Sequence, residues 1–209
     1  MATKDEILTR LLKEENYVSG EELARQTGVS RAAVWKAIKS LKKSGYDIEG
    51  VTKCGYKLKQ NNSLVTAEGV KALLEKDIEV THFDTVDSTN TYCKRLLADG
   101  KQGEFLVTAA KQTAGRGRQG KSFYSPSETG IYFSLVIRPD TSLQNAVTAT
   151  TAAAVAVCKA IEKTTDLKPK IKWVNDVYLN GKKVCGILTE ATTDFESGTV
   201  DSVIIGIGI

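Results

Sequence analysis

Between Asp5 and Glu15 the apolar residues Ile7, Leu8, Leu11 and Leu12 recur at helical spacing among charged neighbours, which predicts a first helix. Ser19-Gly20-Glu21-Glu22 has the form of a capping box and opens a short second helix that ends near Thr27-Gly28. Ser30 caps a third helix from Arg31 to Lys43. Val34, Ile38 and Leu41 form its buried stripe and leave Arg31, Trp35, Lys36, Lys39, Lys42 and Lys43 outside. Two helices joined by a few residues through a glycine make a helix-turn-helix. Asp47 to Leu58 then reads as a β-hairpin, so residues 1–60 are predicted to be a winged helix-turn-helix, with 61–65 as linker beside the polar run Gln60-Asn61-Asn62-Ser63.

Residues 66–209 predict a second domain of α+β class. Thr66 to Lys76 and Ser88 to Asp99 carry helical apolar spacing, while Ile78–Phe83, Glu104–Ala110 and Gly130–Ile137 read as strands. Leu143 to Lys163 is a long alanine-rich helix whose small residues let it lie close against a sheet. Lys170 to Leu179 reads as one strand that turns at Asn180-Gly181, the strongest short hairpin signal. With those two as the loop, Leu179 faces Lys182, Tyr178 faces Lys183 and Asp176 faces Cys185. Alternation then puts Lys172, Asp176 and Lys183 on one face, and Val177, Leu179, Val184 and Leu188 on the other. Two ammonium groups and a carboxylate would be expensive to bury for packing alone. A solvated ion-pair face on an edge hairpin is the alternative. Val200 to Ile209 is a very apolar strand at which the sequence stops, as a chain cut short within its domain would.

Composition changes this picture little. No apolar run approaches the ~18 residues of a membrane span, and the start has no signal-peptide apolar region, so a cytoplasmic protein with no membrane partner is expected. Cys54, Cys93, Cys158 and Cys185 are far apart and share the chain with a single histidine, His82, so no metal site is expected and the thiols read as reduced. Charge is more telling: residues 1–62 hold twelve Lys and Arg against eight Asp and Glu, so the whole net charge of +4 lies there. A basic third helix and hairpin favour DNA over a protein partner or a merely solvated face. The third helix would enter the major groove with Arg31, Ala32 and Trp35 near base edges, and with Lys36, Lys39, Lys53 and Lys57 on phosphates.

Gly115-Arg116-Gly117-Arg118-Gln119-Gly120, preceded by Gln112, puts two guanidinium groups beside three glycines, a combination suited to an anionic ligand. It formally matches a dinucleotide fingerprint, but the stretch from Lys121 to Gly130 carries a proline, aromatics and serines where a helix should begin. A basic surface loop is the rival to a binding loop. Asp87-Ser88-Thr89-Asn90 is a helix N-cap, a ligand-binding cluster, or both.

These motifs, with Lys172-Trp173-Val174-Asn175-Asp176 and Lys183-Val184-Cys185-Gly186-Ile187-Leu188, stand in order behind a winged helix, and together they resemble the bifunctional biotin protein ligases and biotin-operon repressors. The resemblance covers essentially the whole chain and implies a class II synthetase-like mixed-sheet ligase domain. It implies that biotin and MgATP give biotinyl-5′-AMP and pyrophosphate, after which a lysine of a biotin carboxyl carrier protein takes the biotinyl group. By the same resemblance Ser88, Thr89, Asn90, Gln112, Gly115, Arg116 and Gly186 form the biotin site. Arg116, Arg118, Lys121, Phe123, Lys172 and Asn175 form the nucleotide site. Lys183 would bridge the biotin carboxylate and the α-phosphate, Arg118 would close over the adenylate, and Asp176 would orient Lys183 or deprotonate the acceptor lysine.

The implied partners are operator DNA, the carrier protein and a second subunit when biotinyl-5′-AMP acts as corepressor. Val174 departs from the family's usual proline and Phe123 from a common tryptophan, and family members continue past Ile209. The rival functions are a ligand-sensing repressor without catalysis and a lipoate or octanoate ligase on the same fold.

Overall fold

Ile7, Leu8 and Leu11 share one face of the first helix and are buried in a common core with Leu23, Val34, Ile38 and Leu41. The computed structural model describes residues 3–59, 64–139, 144–193 and 200–209. The chain divides into two units, Met1–Asp77 and Ile78–Ile209. In the first, α1 (Thr3–Lys13), α2 (Gly20–Thr27) and α3 (Arg31–Lys43) enclose that core. Ser19 Oγ accepts from Glu22 N at 3.0 Å, and Gly28 closes α2 in the left-handed region at φ 67°. Only half of the capping box forms, because the Glu22 carboxylate turns to Arg25 and Gln26 instead.

The wing is the antiparallel pair β1 (Ile48–Val51) and β2 (Gly55–Leu58), tied to the α1–α2 loop where Val18 bridges Tyr56. The structure corrects one boundary. The helix expected in the second domain, α4 (Ala67–Leu73), packs on α1, with Lys4 Nζ 3.1 Å from Glu68 Oε1 and the Tyr46 hydroxyl bonded to Thr66 Oγ1. The polar run 60–63 lies outside the described residues.

The second unit holds β3 (Glu79–Phe83), α5 (Thr89–Ala98), β4 (Phe105–Ala109), β5 (Tyr132–Ile137), α6 (Gln144–Thr164), β6 (Lys170–Lys172), β7 (Asp176–Leu179), β8 (Lys182–Thr193) and β9 (Val200–Gly208). Its seven-stranded sheet runs β3-β4-β5-β9-β8-β7-β6. It is mixed, since β3 and β4 are parallel and the other pairs antiparallel. Alternation along β9 splits its neighbours. Val203 and Ile205 pack under α6 through Ala153, Ala154 and Val157, while Ile204 packs under α5 with Cys93, Phe105, Val107 and Val136. The small residues of α6 therefore do what the sequence expectation gave them to do.

Two further expectations are corrected here. Lys170–Leu179 is not one strand: residues 173–175 turn, and β6 and β7 pair antiparallel with Lys172 opposite Asp176. Asn175 holds that turn, donating from Nδ2 to Asp176 Oδ1 at 3.0 Å and to the Ile187 carbonyl at 3.1 Å. Leu179 faces Lys182 and Tyr178 faces Lys183 as expected, but a bulge then leaves Val184 unpaired, so Asp176 faces Gly186 rather than Cys185. The bulge also moves Leu188 off the core side. Cys185 and Ile187 are buried against α6, and Leu188 points with Gly186 to the opposite face. Among the described residues no helix is long and apolar enough to cross a membrane.

Candidate active site

On the α5 side of the sheet Gly186 stands opposite Gly208 and Leu188 opposite Gly206, giving a floor of nearly bare backbone. A Cβ on Gly206 would lie 2.1 Å from Asn90 Oδ1, and one on Gly208 would lie 2.4 Å from the Phe123 ring. The missing side chains let Asn90 and Phe123 lie directly on the strands.

The first wall is the start of α5. Ser88 is its N-cap, and Ser88, Thr89 and Asn90 are buried. Gln112 fixes this corner, its Oε1 accepting from Thr89 N at 2.8 Å and its Nε2 donating to Ser125 Oγ at 2.9 Å. Ser134 Oγ sits 2.7 Å from Thr89 Oγ1 and 2.6 Å from Asn90 Oδ1. A row of hydroxyls and amides is thus held in place by its own hydrogen bonds, with spare donors and acceptors for a polar ligand head.

The Gly-Arg loop makes the roof. Gly117 N bonds the Lys121 carbonyl at 2.7 Å, and Arg118–Gly120 is a single 3-10 turn, so no helix follows the glycines. Gly115 must be bare, since a Cβ there would stand 2.4 Å from the Phe123 carbonyl oxygen. The two arginines reach opposite sides: Arg118 Nη1 donates to Asn175 Oδ1 at 3.0 Å, and Arg116 Nη2 lies 3.4 Å from Glu190 Oε1. The far wall is the β7–β8 hairpin, where Lys183 Nζ lies 2.7 Å from Asp176 Oδ1.

Ser88, Thr89, Asn90, Gln112, Arg116, Arg118, Phe123, Asn175, Lys183 and Gly186 therefore line one pocket, as the motifs implied. Gly115 and Asp176 act from just behind it, through Phe123 and Lys183. Lys121 and Lys172 do not line it; Lys172 shares the face of Asp176 but stacks 5.6 Å from the Tyr178 ring centroid. Gly117, Ile187 and Leu188, which stand within the motifs but were given no role, also line the pocket, and Gly206, Ile207 and Gly208 line it from outside any motif. Glycines at alternate places of an apolar strand were the available signal for Gly206 and Gly208, because alternate places share a face.

Two carboxylates around the site are strongly held. For Glu190, burial would raise the carboxyl, but hydrogen bonds from Lys94 and Asn90 and the charges of Lys94 and Arg116 outweigh it and hold it below the usual range. Asp87, just before the α5 cap, takes a bidentate pair from Arg95 at 2.6 and 2.9 Å that lowers it to about 2. A depressed folded-state value means the stabilisation is complete above the ordinary 3.8 and is lost as pH falls toward about 2. Asp87→Asn should flatten the melting temperature of the second unit across that window relative to wild type. Parallel acid limbs for both proteins would remove Asp87 from the account. Burial pushes the thiols of Cys93 and Cys185 up to about 12, as inert core cysteines require.

Residues 82–209 match the model of the biotin/lipoate A/B protein ligase family, and residues 3–57 match an HTH domain. The chain belongs to the biotin/lipoate A/B protein ligase family. Within that family it is 40% identical over 196 residues to the bifunctional ligase/repressor BirA of Bacillus spizizenii, covering 92% of this chain and 60% of that protein. It is 32% identical over 202 residues to BirA of Escherichia coli, covering 97% and 62%. The chain spans about three fifths of the length of these relatives. The biotin protein ligase from Aquifex aeolicus in complex with biotin and ATP superposes with a TM-score of 0.50 at 32% identity, over 62% of this chain and 51% of that one. The ligase from Leishmania major in complex with biotin gives a TM-score of 0.51 at 27% identity, over 62% and 55%.

The HTH match carries the second candidate surface. Arg31, Ala32 and Trp35 line a groove with wing residues Val51 and Lys53. Trp35 is 54% exposed with Lys39 Nζ 5.2 Å from its ring centroid, and Lys36 is exposed beside it. A large exposed aromatic among cations suits a nucleic-acid face better than a solvated one.

Proposed function

We propose that the protein is a biotin protein ligase that activates biotin with ATP as biotinyl-5′-AMP, transfers it to a lysine of a biotin carboxyl carrier protein, and represses transcription in response to biotin. The observation that carries the reading is the arrangement of Lys183, Arg116 and Arg118 around a glycine floor, opposite a buried wall of hydroxyls and amides. Ser88, Thr89 and Gln112 suit the ureido ring, with Asn90 backing them. The carboxylate then reaches Lys183, whose ammonium neutralises both it and the α-phosphate as they approach. Charge builds on the phosphoryl oxygens in this step and on the acyl oxygen in the next, so fixed cationic donors supply most of what the reaction needs. Asp176 holds Lys183 now, and once the adenylate has formed it is placed to accept a proton from the acceptor amine.

Asn175, Phe123 and Arg118 suit the nucleotide, with Arg118 as the movable member because Asn175 is its partner in the free protein. Among the described residues no three acidic, histidine or cysteine side chains converge, so magnesium is treated as part of the nucleotide substrate. Operator DNA is the proposed partner of α3 and the wing, with a homodimer as the DNA-bound form and the cytoplasm, which holds ATP and the operator, as the compartment of both activities.

Lipoate is the less suitable substrate. A dithiolane ring offers almost nothing to hydrogen-bond, and would leave the buried wall of Ser88, Thr89 and Asn90 facing an apolar group.

Mass spectrometry of a biotin carrier domain incubated with full-length protein, biotin and MgATP tests the reading. A biotin-sized mass gain is expected, and no gain with soluble, folded protein would favour a ligand-sensing repressor. Arg118→Gly should still make the adenylate but release it, raising free biotinyl-AMP about tenfold or more as one charge-assisted contact is lost. Retention equal to wild type in a trapping assay would deny Arg118 a clamping role.

A further inference from the structure

Glu190 lies two places beyond Leu188 on β8, in the row that supplies Gly186 and Leu188 to the pocket, yet it belongs to none of the motifs that marked the site. Its side chain is 17% exposed and three partners divide it. Oε1 takes Lys94 Nζ at 2.7 Å and Arg116 Nη2 at 3.4 Å, and Oε2 accepts from Asn90 Nδ2 at 3.0 Å.

The partners do different things. Lys94, on α5, supplies the close counter-charge that keeps a half-buried carboxylate ionised. Asn90 receives part of its orientation: with Nδ2 donating to Glu190 at 3.0 Å and more distantly to the Leu188 carbonyl at 3.3 Å, Oδ1 faces Ser134, which in turn contacts Thr89 beside Gln112. Gln112 continues through Ser125 to the carbonyl of Phe123. Polar contacts thus run from one end of the Gly-Arg loop, under the pocket, to Glu190, and Arg116 returns them to the other end. The Arg116 contact is the loosest of the three, and it engages one edge of a fork with five donors. The remaining edge is left for an anion.

We propose that Glu190 is a positioning residue of the ligase site, holding Arg116 over the glycine floor with its free edge toward the nucleotide while fixing the Asn90 amide behind the hydroxyl wall. The inference rests on the ligase reading above.

Steady-state pyrophosphate release by the full-length protein tests it with Glu190→Gln and Glu190→Asp, each made in wild-type and Arg116→Ala backgrounds. Glu190→Gln should raise the KM for ATP about tenfold with kcat changed far less, and in the Arg116→Ala background it should add less than about twofold. Glu190→Asp keeps the charge with a shorter reach; its KM should rise about threefold, again only when Arg116 is present. A KM equal to wild type, or the same factor in both backgrounds, would mean that Glu190 merely supports the fold and would overturn the proposal while leaving the ligase reading intact. Should Glu190→Gln fail to fold, the Glu190→Asp pair decides by the same criterion. Wild-type protein that releases no pyrophosphate with biotin and ATP would remove the ligase reading and this inference with it.

Discussion

Lys183→Ala should lower adenylate formation by about 10²–10³-fold, the usual effect of deleting one preorganised donor to a developing oxyanion, and should leave the protein folded. The fold is expected to survive because the Lys183–Asp176 pair is partly open to water, with the side chains 42% and 20% exposed. Such pairs contribute about 1 kcal/mol or less. Asp176 also keeps a donor when Lys183 goes, since Asn175 Nδ2 still reaches its Oδ1 at 3.0 Å. Catalysis has no such reserve: Arg116 and Arg118 approach from the loop side, and Lys183 is the cation on the hairpin side of the pocket lining. Pyrophosphate release with biotin and ATP, read beside a thermal melt, checks both halves. Near-normal release would take Lys183 out of the mechanism, and an unfolded variant would overturn the claim that the pair is dispensable for the fold. Lys183→Arg should not restore activity, because a longer planar fork presents its donors in different directions from the compact ammonium that the biotin carboxylate and the α-phosphate would share.

The fold was most legible where a local signal and its tertiary use agree. Arg31–Lys43 was read to the residue because Ser30 caps it and Val34, Ile38 and Leu41 all meet the core. Asn180-Gly181 marks the hairpin for the same reason: Asn180 at φ 49° and Gly181 at φ 78° adopt the left-handed turn that asparagine tolerates and glycine takes without steric cost. Legibility ended where packing overrides counting. Nothing in Lys183-Val184-Cys185 announces a bulge, and that bulge reverses the side to which Leu188 points and sets Gly186 rather than Cys185 opposite Asp176. The helix at 67–73 has ordinary apolar spacing, which marks a helix but not which core receives it. Most of the polar and charged residues that line the pocket stand in recognisable motifs, whereas Lys121 and Lys172, named with them, lie outside its lining. Of the floor glycines only Gly186 was named, through its motif; Gly206 and Gly208 stand in no motif, and a glycine that works by lacking a side chain shows its use only once its neighbours are known.

That floor gives the other large effect. Gly206→Ala should destabilise the second unit and weaken biotin binding together. The new Cβ would lie 2.1 Å from Asn90 Oδ1, 2.8 Å from its Cγ and 3.0 Å from its Nδ2, and Asn90 has nowhere to go. It is 4% exposed and held through Ser134, Glu190 and the Leu188 carbonyl. Either the strand shifts, at about 1–3 kcal/mol for overpacking, or Asn90 leaves its partners at a similar cost of about 1–3 kcal/mol for buried groups left unpaired. For a protein of this size that corresponds to a fall of roughly 2–12 °C in melting temperature. Displacement of Asn90 also disturbs the contacts to Thr89 and Glu190, so biotin affinity should fall with stability when both are measured, by calorimetric titration and by thermal melt. Unchanged melting and unchanged affinity would show that the strand yields without consequence. Gly208→Ala makes the informative contrast. Its Cβ meets the Phe123 ring at 2.4 Å, and that ring belongs to the roof loop rather than to the hydroxyl wall. The first glycine should therefore mainly govern biotin and the second mainly the nucleotide, two neighbouring places on one strand face dividing the floor between the substrates.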